Sequence, residues 1–261
     1  KAWRKMTKPA IILVHGLRGD HHGLKEVGEG LEKKGYKVYI PDLPGYGDEV
    51  ALENQSLRGY ADWLKSYIES LNLKQPPIIV GHSMGSIVTS HFLRIYPNSA
   101  DLRSVALSPI VRTPKGQKRS NFSVAVICGF LKLLSGHARY RFMRSKFVSL
   151  IISHTLSYDH RRQKYIDRMH FEYCGRFTST ISLMNDIRLS MCEQTVVPTK
   201  GKALYIMGDH DRLTKVRNVE TRIAGNKIVA LSVIQKKGHL INYECPQKIA
   251  NLIDDFIQAN S

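Results

Sequence analysis

The fold class the sequence predicts is α/β: a mostly parallel β-sheet flanked by helices, interrupted once by a helical insert. Three observations lead there. Short apolar runs alternate with amphipathic helical patterns over residues 1–111, the same alternation returns over residues 199–261, and between the two the strand signal disappears.

Ala10 to His15 is a short apolar run closed by Gly16, the pattern of a strand buried on both faces. Residues 23–34 read as a helix ended by Gly35, and Lys37 to Pro41 as the next strand. A turn-rich stretch follows, Asp42-Leu43-Pro44-Gly45-Tyr46-Gly47. Ser56 stands where it can cap a helix whose apolar positions, Leu57, Tyr60, Ala61, Leu64, Ile68 and Leu71, follow a 3.6-residue repeat. Pro77 to Val80 is then a strand, Ser83 to Tyr96 a helix and Ser104 to Leu107 a strand. Beyond the insert, Ala203 to Met207 and Ile228 to Ile234 are strands. Pro246 to Ala259 closes the chain as a helix with Ile249, Leu252, Ile253, Phe256 and Ile257 on one face. Strands joined by helices pair in parallel, and such sheets collect ligands at the carboxyl ends of their strands.

The core is therefore expected over residues 1–111 and 199–261, with a helical cap over 112–198. The cap pattern is helical throughout, broken near Gly136, Tyr158 and Gly175. It holds 15 Lys and Arg against 5 Asp and Glu, a balance of +10 out of the chain's formal +17. Within it, Phe122 to Leu134 is apolar nearly all round. It is too short to span a bilayer and is expected to be buried against the core or to line a substrate pocket. Arg161, Arg162, Lys164 and Arg168 form a basic cluster at helical spacing, readable as a solvated face or as a contact with acidic headgroups.

Hydrophobic residues make up 43% of the chain, enough for one sizeable core, and no apolar run is long enough for a membrane-spanning helix. Cys128, Cys174, Cys192 and Cys245 are irregularly spaced without a Cys-x-x-Cys pair. They read as buried thiols of a reducing compartment, so a cytoplasmic location is expected, with membrane association through the cap left open. The net charge of +17 suits an anionic membrane, an acidic substrate or mere solubility. No nucleic-acid recognition motif accompanies it, so no nucleic-acid partner is expected. Oligomeric state leaves no trace in the pattern.

The chemistry centres on Gly81-His82-Ser83-Met84-Gly85, set between a strand and a helix. A serine on so sharp a turn leaves little room for neighbours. Glycines two before and two after relieve the crowding, and the turn pushes Oγ out over the sheet. The helix that follows aims its N-terminal amides at the place where negative charge develops. Serine needs a base, and the base an acid to orient it, in the chain order Ser, Asp or Glu, His. Asp211 lies just past the strand Ala203 to Met207, and His239 just past Ile228 to Ile234. Asp209 is the rival acid. His82 and His210 flank the motif residues and read as structural, while His15 reads as a brace for the loop after the first strand. His21-His22 has no third ligand at a fitting spacing, so a solvent-exposed loop is expected there and no metal.

His15-Gly16, Gly81 to Gly85, Gly208-x-x-Asp211 and Gly238-His239 together resemble the α/β-hydrolase superfamily over the whole core. Asp211-Arg212-Leu213 and Ala106-Leu107-Ser108-Pro109 are similar to monoacylglycerol lipases and related carboxylesterases. The resemblance implies that Ser83 attacks, His239 acts as general base and then acid, and Asp211 orients His239. It further implies an oxyanion hole made by the backbone amides of Leu17 and Met84, no cofactor, and a small acyl ester as substrate. A serine nucleophile argues against haloalkane dehalogenases and epoxide hydrolases, which use a carboxylate at that position. His15-Gly16-Leu17-Arg18-Gly19 argues against proline iminopeptidases, which show a Gly-Gly-Pro-Gly run there. Thioesters, carbon–carbon bond hydrolysis on the same triad, and a receptor-like role with little turnover stay open beside the ester.

Overall fold

The computed structural model describes residues 8–113, 125–126, 128–158 and 180–261, and over them the expected α/β architecture is found. Six parallel strands form one sheet in the order β2-β1-β3-β4-β5-β6. They are β1 (Ile11–Val14), β2 (Val38–Tyr39), β3 (Ile78–His82), β4 (Arg103–Leu107), β5 (Lys202–Gly208) and β6 (Val229–Ile234). Strand β2 covers only two of the five residues expected of it. It sits at the sheet edge, pairs with β1 only at Val38 and Tyr39, and runs into Pro41, which has no N–H to give a ladder.

Alternation along the strands assigns the faces. Ile11, Leu13, Ile78, Val80, Val105, Leu107, Leu204 and Ile206 pack against α1 (Lys25–Glu32) and the C-terminal helix α8 (Pro246–Ala259). The residues between them, Ile12, Val14 and Ile79, meet α2 (Leu57–Ser70) and α3 (Met84–Ile95). Ala106, Ala203, Tyr205 and Met207 meet Val219 of α7 (Val216–Ile223). Ser56 caps α2 as expected, its side chain accepting from Gly59 N at 3.1 Å.

The described residues between β4 and β5 include α4 (Gly136–Met143), α5 (Lys146–Leu156) and α6 (Thr180–Cys192), with non-helical chain at 108–113 and 193–201. Ser135 and Ser145 cap the first two of these. The insert is pinched at its base, where Ile110 N donates to Thr195 Oγ1 (3.0 Å), Thr195 N returns a bond to Ile110 O (2.9 Å) and Arg112 N donates to Gln194 Oε1 (2.9 Å). A second tie comes from Asp186 on α6, which is buried and accepts from Tyr60 Oη of α2 at 2.7 Å. Burial pushes its carboxyl up to about 6 despite the hydrogen bonds from Tyr60 and Gln55.

The expectation for Phe122 to Leu134 needs correcting. Cys128 and Leu131 are buried in the core, but Val126, Phe130 and Leu133 are exposed, and none of the described residues of that stretch lines the cavity above Ser83. One side of the segment joins the core cluster that also holds residues of α2, α3 and α6, and the other faces solvent. The basic cluster Arg161, Arg162, Lys164 and Arg168 lies outside the described residues, as do Cys174 and the break near Gly175. Of the described cysteines, all free, only Cys128 is fully buried.

Candidate active site

Ser83 occupies the turn from β3 into α3 with φ 53° and ψ −116°, a backbone conformation that side chains rarely adopt. The glycines around it are required by close approach. A Cβ on Gly81 would stand 2.4 Å from Gly85 O, and one on Gly85 would stand 2.3 Å from Val14 O. The elbow is thus pressed against the end of β1. The loop after β1 lies over it too, since a Cβ on Gly16 would be 3.1 Å from the Ser83 Cβ. Leu17, next in that loop, lines the same cavity as Ser83, and Met84 is the first residue of α3, where a backbone N–H has no intrahelical acceptor.

The structure brings Ser83, His239 and Asp211 into one chain of hydrogen bonds. Ser83 Oγ donates to His239 Nε2 at 2.8 Å, and His239 Nδ1 donates to Asp211 Oδ2 at 2.7 Å. Asp211 and His239 are almost wholly buried. Burial alone would raise the Asp211 carboxyl. The charge and hydrogen bond of His239 and the amides of Thr214 and Leu213 outweigh it and hold the group below its usual value. Asp209 is elsewhere engaged, with His210 Nδ1 at 2.7 Å and Lys237 N at 3.2 Å.

His239 is fixed from several sides. Its carbonyl accepts from Ser108 Oγ (2.7 Å) and His82 Nε2 (3.3 Å), and its N–H donates to Leu156 O at the end of α5 (2.6 Å). Burial, then the neighbouring His239 charge, lowers His82 to about 3, so it is a neutral donor. Gly238 admits no side chain, because a Cβ there would stand 2.3 Å from Leu156 O. Glu244 Oε1 accepts from both Gly238 N (3.2 Å) and Tyr158 N (3.0 Å), a positioning role that no sequence motif signals. His15 is the expected brace: Nδ1 donates to Gly16 O and Nε2 accepts from Leu43 N, both at 2.9 Å, and burial lowers its pKa.

Above Ser83 is a cavity of about 380 Å³ between the sheet edge and the insert. Its wall is mainly apolar, with Leu17, Ile110, Leu156, Leu183 and Ile187 on it, and three arginines that sequence reasoning did not single out, Arg18, Arg112 and Arg212. Arg18 is buried and reaches into the insert, donating to Met143 O at 3.0 Å and Ser149 Oγ at 3.1 Å.

The His21-His22 pair is not the solvated loop expected. It forms a half-buried 3₁₀ turn capped by Asp20, with His21 Nδ1 2.8 Å from Asp42 Oδ1 and His22 Nδ1 3.1 Å from Asp20 Oδ1. Asp20 is the third donor that a search by spacing overlooked, and one ligand atom from each of Asp20, His21 and His22 falls within 4.8 Å of the others. Both imidazole Nδ1 atoms are hydrogen-bonded to carboxylates, and the ring centroids lie 3.9 Å apart with the planes tilted by 32°.

A family model described as the alpha/beta hydrolase family matches residues 11–252, nearly the whole chain. The chain belongs to the alpha/beta hydrolase family. Among curated relatives, a thermostable monoacylglycerol lipase from Bacillus sp. (strain H-257) is 32% identical over 92 residues, covering 34% of this chain and 36% of that protein. The first curated relatives are matched over only 25–48% of their own length. Among solved structures, an esterase from Thermogutta terrifontis superposes with a TM-score of 0.74 at 19% identity, covering 98% of this chain and 92% of that one. A monoacylglycerol lipase from Paleococcus ferrophilus gives a TM-score of 0.64 at 18% identity, covering 96% and 94%. At these identities the structures speak for the fold alone.

Proposed function

We propose that this alpha/beta hydrolase cleaves carboxylic esters of small acyl substrates through an acyl-enzyme on Ser83. The observation that carries the reading is the unbroken hydrogen-bond chain Ser83–His239–Asp211 opening into a largely apolar cavity. In this mechanism His239 Nε2 takes the Ser83 proton as Oγ attacks the ester carbonyl, and Asp211 holds the imidazole in the tautomer that has Nε2 free to accept. The amides of Leu17 and Met84 receive the developing oxyanion. His239 then protonates the departing alcohol, and a water, deprotonated by the same nitrogen, releases the acid and restores Ser83. The name of the Bacillus relative supports a lipid-like ester. A helical cap over 112–198 would close the acyl site.

The test is a fluorophosphonate probe with peptide mapping, beside p-nitrophenyl esters of graded chain length. Labelling on Ser83 and turnover of at least one ester are expected. Labelling elsewhere would remove Ser83 from its role, and labelling without turnover of any ester would favour a receptor-like role.

A membrane contact of the cap has an observation of its own behind it. Helix α5 is apolar on two sides: Ile152 and Leu156 line the cavity beside the buried Ser149 and Ser153, while Phe147, Leu150 and Ile151 are exposed. Such a face next to a strongly basic segment suits an anionic lipid surface. Sedimentation with anionic vesicles is expected to carry the protein down at low salt and less so at high salt, and Phe147→Ser to weaken it. Absence of binding at low salt would dispose of the idea.

A further inference from the structure

The cavity above Ser83 is lined by cations and, among the described residues, by no carboxylate. The partners of Arg112 and Arg212 among the described residues are neutral. The Arg112 guanidinium donates to Glu193 O at 2.8 Å and Ser190 O at 2.6 Å, where α6 ends, and Arg212 donates to His154 O at 3.1 Å. A guanidinium carries five N–H donors, so each of these side chains satisfies a carbonyl or two and, among the described residues, meets no carboxylate. Both line one largely apolar cavity, and burial works against the charge of Arg112, lowering its pKa. Such an arrangement gains from an anion that enters the cavity, and a planar guanidinium meets a carboxylate or a phosphate with two parallel hydrogen bonds.

We infer that the ester this site takes carries an anionic group, a carboxylate or a phosphate, recognised by Arg112 and Arg212 while Ser83 attacks the acyl carbon. This rests on the reading of Ser83 as an esterase nucleophile. The competing account of Arg112 is that it only ties off the carbonyls at the end of α6. The two accounts differ in what its replacement does to selectivity.

Two substrate pairs decide between them. The first is p-nitrophenyl valerate against the p-nitrophenyl monoester of glutaric acid, which places a carboxylate on the acyl side. The second is butanoyl glycerol against butanoyl glycerol phosphate, which places a phosphate on the alcohol side. Wild type is expected to favour the anionic member of at least one pair by about tenfold or more in kcat/KM. Arg112→Gln and Arg212→Gln are each expected to bring that ratio down severalfold. Taking the ratio within one preparation removes any difference in the folded fraction, so a merely structural Arg112 leaves it unmoved. The pair that responds tells carboxylate from phosphate. A wild-type ratio at or below one in both pairs overturns the inference while leaving the esterase reading in place, and so does a ratio that neither variant changes. Failure of all four esters, with no fluorophosphonate on Ser83, removes both.

Discussion

Replacing Ser83 by alanine is expected to lower kcat/KM on the best p-nitrophenyl ester by about 10⁵-fold or more, the scale on which hydrolases lose activity when a serine–histidine pair is broken. The reason is local. Among the described residues Ser83 Oγ is the only hydroxyl bonded to His239 Nε2, at 2.8 Å, and its elbow holds it there at the cost of a strained backbone. His239→Ala should cost about as much, and the double variant little more than either single one, because the two groups act as a unit. Circular dichroism serves as the check on folding. Retention of more than about a hundredth of the activity in the Ser83 variant would mean that another group does the chemistry.

Asp211→Asn is expected to cost about 10⁴-fold in kcat, and Asp209→Asn less than about tenfold. Asp211 accepts from His239 Nδ1 and from the amides of Leu213 and Thr214, all within 2.9 Å. An amide in its place presents a donor toward Nδ1 and stabilises the tautomer with its proton on Nε2, which cannot accept from serine. Asp209 has a smaller task, holding His210 and the amide of Lys237. Equal losses in the two variants, or a larger one at Asp209, would reassign the acid.

Much of this was legible in the sequence because the physics involved is local. A run such as Ile11 to Val14 is a buried strand by composition, and the glycines at 81 and 85 announce a turn with no room for side chains. The family signature placed Ser83, Asp211 and His239, and the hydrogen bonds bring them together. What escaped has its cause in tertiary contact. Helix α7 is only eight residues long, and its apolar face, Val216, Val219 and Ile223, is too short to stand out in the sequence. Arg18 looks like an ordinary loop cation until α4 and the serine of α5 are seen to enclose it. Asp186 and Glu244 are single carboxylates with partners 126 and 86 residues away, at Tyr60 and Tyr158, and no spacing rule reaches that far. The outward apolar side of α5 also defeats pattern reading, since periodicity finds a stripe without saying which way it turns.

The pinch at Ile110 and Thr195 makes the stretch between them a replaceable part on a fixed socket. Any substitute would enter and leave through the same pair of reciprocal hydrogen bonds, with β4 and β5 undisturbed. The socket sets its own terms, however: Leu156 supplies the acceptor for the His239 amide, and Met143 and Ser149 receive Arg18. A transplanted segment would have to reproduce those contacts, together with the Tyr158 amide that meets Glu244 and the Asp186 carboxylate that meets Tyr60, to be compatible with the site below.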